Sequence, residues 1–324
     1  MLQQFAQSLY RNVMDEAGQP ASLAQVIQSH PGLKHVEFTD AKTASSNDIP
    51  RWSNLGLSAR GLDAKPGVLL GWADSLGSYH SIDIPVPALA NLIVSKRFEG
   101  FSCDIIDIET LAASKSNLSD YESLDEFAKQ RCTNFIGDLT KDSLLENLKH
   151  NQIRILGPAP TDSLNRFGWD GRINLLNSGG AHHFAAARYI SRAIAVRVPI
   201  TARLYEHSIN PGALDELSRQ FYIFAVGDPS SDPLPHLALQ DAFKKLRATF
   251  FIGSMPWSPN SVSKEAKAVF LPKNDKKSQR VAQLFRKVEM LDIGKMLQEK
   301  LAMQIEMQKP NVSRDHEKSA SYQR

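Results

Sequence analysis

Residues Ile173-Asn-Leu-Leu-Asn-Ser-Gly-Gly-Ala-His-His-Phe-Ala-Ala-Ala-Arg188 pass from a strand pattern into a helix pattern across two glycines. Ile173–Asn177 reads as a short strand, and Ser178, Gly179 and Gly180 as the turn that ends it. Ala181–Ala195 is rich in alanine and places Phe184, Ala187, Ile190, Ser191 and Ile194 at helical spacing. Glycine permits positive φ and a close approach of backbone. The first N–H groups of a helix lack partners inside it, and the helix dipole favours negative charge there. Gly179–His183 is therefore built like an anion cradle. His182 and His183 fall in the first turn, where a histidine donates to a phosphate or transfers a proton. A plainer reading stays open: such turns occur without ligands, and a histidine pair there caps the helix or meets solvent.

The elements on either side set the fold class. Upstream, Leu2–Glu16 and Leu23–His30 have helical spacing, and Gly67–Trp72 with His80–Ile84 forms a hairpin pattern. Ala88–Ser95 begins a helix after Pro87, Cys103–Ile108 is a strand, and Leu124–Cys132 and Thr140–His150 are helices. Ile153–Leu156 reads as a strand and Gly157–Arg172 as an extended turn. Downstream come strands at Val198–Tyr205, Phe221–Val226, Thr249–Ile252 and Ala268–Leu271, with helices at Pro211–Arg219 and Leu237–Leu246. Lys276–Met303 reads as one long amphipathic helix. The pattern is α/β (mixed α+β), with Ile173–Asn177 and Val198–Tyr205 expected as neighbouring strands of one sheet.

The Gly179-Gly180-Ala181-His182-His183 motif, its alanine-rich helix and the order of elements over about 140–206 resemble the sulfiredoxin/ParB-like superfamily. Sulfiredoxins carry Gly-Gly-Cys-His-Arg between a strand and a helix. The resemblance implies a ParB/sulfiredoxin-like core at 124–227, which leaves an N-terminal α/β region at 1–123 and a C-terminal region at 228–308 ending in the long amphipathic helix; the polar composition of 309–324 reads as a disordered tail. It implies a nucleotide or another phosphate ligand, a nucleotide with Mg being the cofactor class. Ser178, Gly179, Gly180 and Ala181 would then bind the ligand, with His182 and His183 as catalytic candidates. Two departures matter. Ala181 replaces the sulfiredoxin cysteine, which excludes the family's thiol chemistry, and His183 replaces an arginine, which removes a bidentate phosphate grip.

Composition bounds the other classes. A chain of 324 residues with 42% hydrophobic and 23% charged residues can bury a real core. A net charge of +3 is too mild to announce a nucleic-acid binder. Two cysteines, Cys103 and Cys132, outside any metal-ligand spacing, read as reduced thiols. The N-terminus lacks a signal-peptide pattern and no apolar run reaches a membrane span, so the cytoplasm is expected and a membrane partner is not.

The remaining candidates are weaker. Asp170 would bring a carboxylate near the motif, although Asp170-Gly171 reads first as a turn. His207 would converge with His182 and His183 on a metal, but without metal-ligand spacing; no metal is expected. Asp228, Asp232 and His236 share a proline-rich loop, Ser254 lacks a nucleophile elbow, and Arg188 reads as a surface or packing residue. Lys276, Lys277, Arg280, Arg286, Lys287, Lys295 and Lys300 make the C-terminal helix basic, a solvated face by preference. The alternatives to a phosphate-ligand protein are a DNA-associated ParB-like protein, which needs a basic surface continuous with the motif, and a non-catalytic interaction scaffold.

Overall fold

The computed structural model describes residues 2–36, 38, 42–57, 66–75, 77–157, 159–227, 232–260 and 266–309. Asp228 and the tail from 310 onward lie outside them. In chain order the elements are α1 (Leu2–Glu16), α2 (Ala21–Ser29), β1 (Val68–Ser75), β2 (Ser78–Pro85), α3 (Pro87–Ala90), β3 (Ile93–Asp104) and β4 (Ile108–Leu111). Then follow α4 (Leu124–Arg131), α5 (Thr133–Ile136), α6 (Lys141–Leu148), β5 (Ser163–Phe167), β6 (Ile173–Leu176), α7 (Ala181–Ala193) and β7 (Pro199–Ile209). The chain continues through α8 (Pro211–Gln220), β8 (Phe221–Gly227), α9 (Leu234–Leu246), β9 (Phe250–Ser254), β10 (Ala266–Pro272), α10 (Lys276–Lys287) and α11 (Ile293–Gln308).

The strands form two five-stranded sheets, so the mixed α+β class holds. The first, ordered β2-β1-β9-β10-β8, is antiparallel throughout. The second, ordered β3-β7-β5-β6-β4, is mixed: β7 runs parallel to β5, and β6 parallel to β4. The second sheet is drawn wholly from 93–209, while the first unites strands from before and after that stretch. The sheets therefore cut across divisions at 123/124 and 227/228.

β6 and β7 share a sheet but are not neighbours, because β5 lies between them. β6 is antiparallel to β5 and β7 is parallel to it, so α7 joins antiparallel strands and the right-handed crossover rule does not govern the connection. β5 falls within the span that reads as an extended turn, and Ile153–Leu156 is irregular backbone that ends in a bend instead of a strand. The expected helix from Ala88 stops at Ala90, and β3 takes up the chain from Ile93. The expected single helix Lys276–Met303 is two, broken at Glu289, whose φ is +59°.

Three apolar clusters hold these layers. Phe184, Ala187 and Ile190 of α7 pack with Leu164, Leu175, Leu204 and Phe127 on one face of the second sheet. Leu239, Phe243, Val281 and Phe285 cover the first sheet through Phe250 and Val269. A third cluster joins the sheets, placing Phe167 and Trp169 with Leu69, Phe251 and Phe270. α11 ties into it: the buried Gln304 accepts from the Ile209 N–H at 2.8 Å and donates to the Ile209 carbonyl at 3.0 Å. Both backbone groups at the end of β7 are satisfied in this way.

Candidate functional site

α7 is buried along most of its length because α4, α5 and α6 flank it over the sheet. Its N-terminus stays open. Gly180 caps the helix in the left-handed region at φ +69° and accepts from the Phe184 N–H through its carbonyl at 2.9 Å. A Cβ on Gly180 would lie 2.9 Å from the Gln152 carbonyl oxygen, so glycine is required both for φ and for space. Buried Asn177 fixes the turn from the other side. Its Oδ1 accepts from the Ala112 and Ala113 N–H groups, both at 3.1 Å, and its Nδ2 donates to the Ala113 and Gly179 carbonyls at 2.8 and 3.0 Å.

The turn opens on a cleft of about 620 Å³. Ser178, Gly179, Gly180, Ala181, His182 and His183 all line it, so the residues expected to act together do lie together. Ala181 offers the cleft only backbone, its side chain being buried in the α7 core. The Ser178 hydroxyl accepts from Arg154 Nη1 at 2.8 Å and lies 3.5 Å from the buried Asp162 carboxylate. Burial holds the Asp162 carboxyl above its ordinary range, against the pull of the Arg154 and Ser178 N–H groups. The Gly180 N–H donates to Gln152 Oε1 at 3.2 Å.

The two histidines are held differently. His182 Nε2 lies 3.1 Å from the Ser116 hydroxyl, with its ring 5.1 Å from Phe127. His183 Nδ1 lies 3.0 Å from Asn147 Oδ1. Asn147 Nδ2 already donates to the Phe135 and Ser143 carbonyls, so its Oδ1 must accept, and His183 carries the proton on Nδ1. His183 Nε2 is then the basic nitrogen. The His183 ring stacks on His150 at 3.8 Å and meets Phe135 at 4.4 Å. Burial lowers the pKa of both, helped for His182 by Arg131 and Lys115, and for His183 by His150 and His182 against Glu146.

Lys115, Arg131, Phe135, His150 and Gln152 join the lining without any signal in the sequence. Each stands in an unremarkable stretch, and only the convergence of three segments on α7 brings them together. With no Asp or Glu among the described lining residues, the cleft is electropositive.

A family model described as a family of unknown function (DUF6685) matches residues 98–311, well over half of the chain. The chain belongs to DUF6685. No curated protein and no solved structure matches it. The matched span of DUF6685 contains every residue of the cleft. It also contains the other candidates, and those among the described residues whose contacts follow are engaged elsewhere in the fold. His207 bonds Ser95 at 2.8 Å and stacks on Phe167, outside the cleft lining. Asp170 grips Arg172 in a buried ion pair at 2.9 Å and serves the turn. Arg188 is buried, donating to the Ile106 and Ile108 carbonyls and pairing with Asp125 at 2.5 Å.

The Ser254 hydroxyl donates to the Asn54 carbonyl at 2.7 Å, and Asp232 accepts from the Leu234 N–H at the start of α9. Among the described residues no group of three or more His, Cys, Asp or Glu is placed to hold a metal ion. Cys103 and Cys132 are free thiols that burial pushes up to about 11 and about 12. Arg280 donates to the Ala17 and Gly18 carbonyls and Arg286 lies over Tyr222 at 4.6 Å, so part of the basic C-terminal face is engaged within the fold. Among the described residues no helix is long and apolar enough to cross a membrane.

Proposed function

We propose that the cleft at the N-terminus of α7 binds a phosphate-bearing ligand, nucleotides included, with the Ser178–His183 turn as the phosphate site. The lining carries the reading: Lys115, Arg131, His150, His182 and His183 meet around first-turn N–H groups that have no side-chain cap, and no Asp or Glu stands among the described lining residues. An anion gains there from fixed dipoles and side-chain charge at once. His182 and His183 are the groups that would transfer protons to or from such a ligand. A cytoplasmic setting belongs to the same proposal. So does a ParB/sulfiredoxin-like character of the second sheet and its helices; the glycine-capped strand-to-helix turn supports it, while β5 between β6 and β7 speaks against a simple strand–helix–strand core.

The test is thermal unfolding with ATP, CTP, GTP and inorganic phosphate. A ligand of the folded state at about 100 times its Kd adds about 2.7 kcal/mol of stability and raises Tm. His182→Ala removes one donor and leaves the turn intact, and should weaken binding by about 1–3 kcal/mol. Gly180→Val would be a poor probe, since its collision with the Gln152 carbonyl damages the fold itself. If none of the four compounds moves Tm, and no nucleoside monophosphate does either, the cleft is not a phosphate site.

A further inference from the structure

The cleft is larger than a phosphate needs and lacks the ligands a divalent cation needs. At about 620 Å³ it falls within the roughly 300–1,000 Å³ of sites that bury a whole small organic molecule. Magnesium bound with a polyphosphate is held by one or two protein carboxylates as well as the phosphate oxygens. No Asp or Glu stands among the described lining residues, and the Ser178 hydroxyl is already taken by Arg154. The histidines do not replace the missing oxygens. His183 and His150 turn ring faces toward each other, 3.8 Å apart and 14° from parallel, with His183 Nδ1 spent on Asn147. A nucleotide carrying Mg therefore does not fit this donor set.

Two further features describe what does fit. The permanent positive charges in the lining are Lys115 and Arg131, neither with an ion-pair partner among the described residues; Arg154, outside the lining, is held on the Ser178 hydroxyl, and the buried Asp162 carboxylate beside it offsets its charge. Two cations match the charge of about −1.5 to −2 that a phosphomonoester carries at neutral pH. A triphosphate would leave charge uncompensated. Beside them stands Phe135, a phenyl ring 37% exposed and the one aromatic hydrocarbon ring among the described lining residues, 4.4 Å from His183 and 6.1 Å from His182. An exposed ring beside paired cations is the arrangement that receives a flat ligand by stacking while its phosphate is neutralised.

Resting on the phosphate-site reading, we infer that the ligand is a dianionic phosphomonoester bearing a planar ring, bound without a divalent cation. The phosphate sits between Lys115, Arg131 and the α7 N-terminus, and the ring lies on Phe135.

Calorimetric titration of the full chain separates the parts. The probes are AMP, GMP, CMP, UMP and pyridoxine 5′-phosphate, with ribose 5-phosphate and inorganic phosphate as ringless arms and ATP as the polyphosphate arm. Each is run in EDTA and again in magnesium. At least one ring-bearing monophosphate should bind about tenfold or more tighter than ribose 5-phosphate, with magnesium changing its affinity less than twofold. Phe135→Ala should abolish that preference and leave ribose 5-phosphate binding in place, while Phe135→Tyr keeps it. Lys115→Met should weaken both classes alike. ATP with magnesium binding tighter than every monophosphate, or ring-bearing and ringless monophosphates binding equally, would overturn this ligand class while the anion site stands. Absence of binding by every probe, with the chain folded, would overturn both.

Discussion

His182, His183 and His207 share one electrostatic circumstance. Burial is the largest cause of shift in each, and it lowers the pKa below the ordinary value of about 6.5. Their folded forms bind protons less readily than the unfolded chain does. Where the unfolded state holds more protons, stability rises with pH. These histidines therefore contribute fully above the unfolded value, and the contribution is lost as pH falls through about 6.5 and below. The free energy of urea unfolding should decline from pH 7 to pH 5, and His182→Gln should flatten the slope. A slope equal in the variant and the parent would show that the His182 surroundings do not disfavour its charge. All three rings are partly exposed or only moderately buried, so each share is small.

Three helices end in the same unusual way. α7, α9 and α10 each pass into a left-handed residue that is not glycine: Ala195 at φ +52°, Arg247 at +54° and Glu289 at +59°. Each is closed by a bond from the next N–H back to a carbonyl five residues earlier, such as Met290 N–H to the Phe285 carbonyl at 2.9 Å. Side chains in that conformation cost about 1–2 kcal/mol, which glycine avoids at an entropy cost of about 0.4–1 kcal/mol. Glu289→Gly should thus stabilise the protein by roughly 0.5–1 kcal/mol, read as a higher urea midpoint at unchanged slope. A lower midpoint would mean that the Glu289 side chain has a favourable role that outweighs its backbone strain.

The same habit explains why the α10–α11 break is invisible in the sequence. No glycine or proline marks it, and the apolar period runs on across Glu289. β5 hides for another reason. Ser163–Phe167 carries Asn165 and Arg166 between flanking turn residues, and its buried Asn165 masks strand alternation. β3 is a largely exposed edge strand, so no apolar face announces it. By contrast α7 and its turn are plain, because helical spacing, alanine and two glycines all point the same way. The cleft is half legible. Its backbone half is local and can be read. Its charged half is assembled from α4, the loop after β4 and the end of α6, and no local pattern carries that meeting.

At the scale of the molecule, the first sheet encloses the second in chain order. β1 and β2 pair with each other early, but the partner of β1 in the sheet is β9, on the far side of the whole 93–209 stretch. During synthesis on the ribosome, at about 5–20 residues per second, that separation is a wait on the order of ten seconds. A lone hairpin is marginal in water, whereas the second sheet has all its strands and its own helices within one continuous segment. The middle of the protein can therefore mature on the nascent chain while 68–85 remains unsupported and open to chaperones. In chains arrested with Gln220 clear of the exit tunnel, brief proteolysis should cut within 68–85 and spare 124–204. Equal cutting of the two would mean that nothing settles until β9 and β10 arrive.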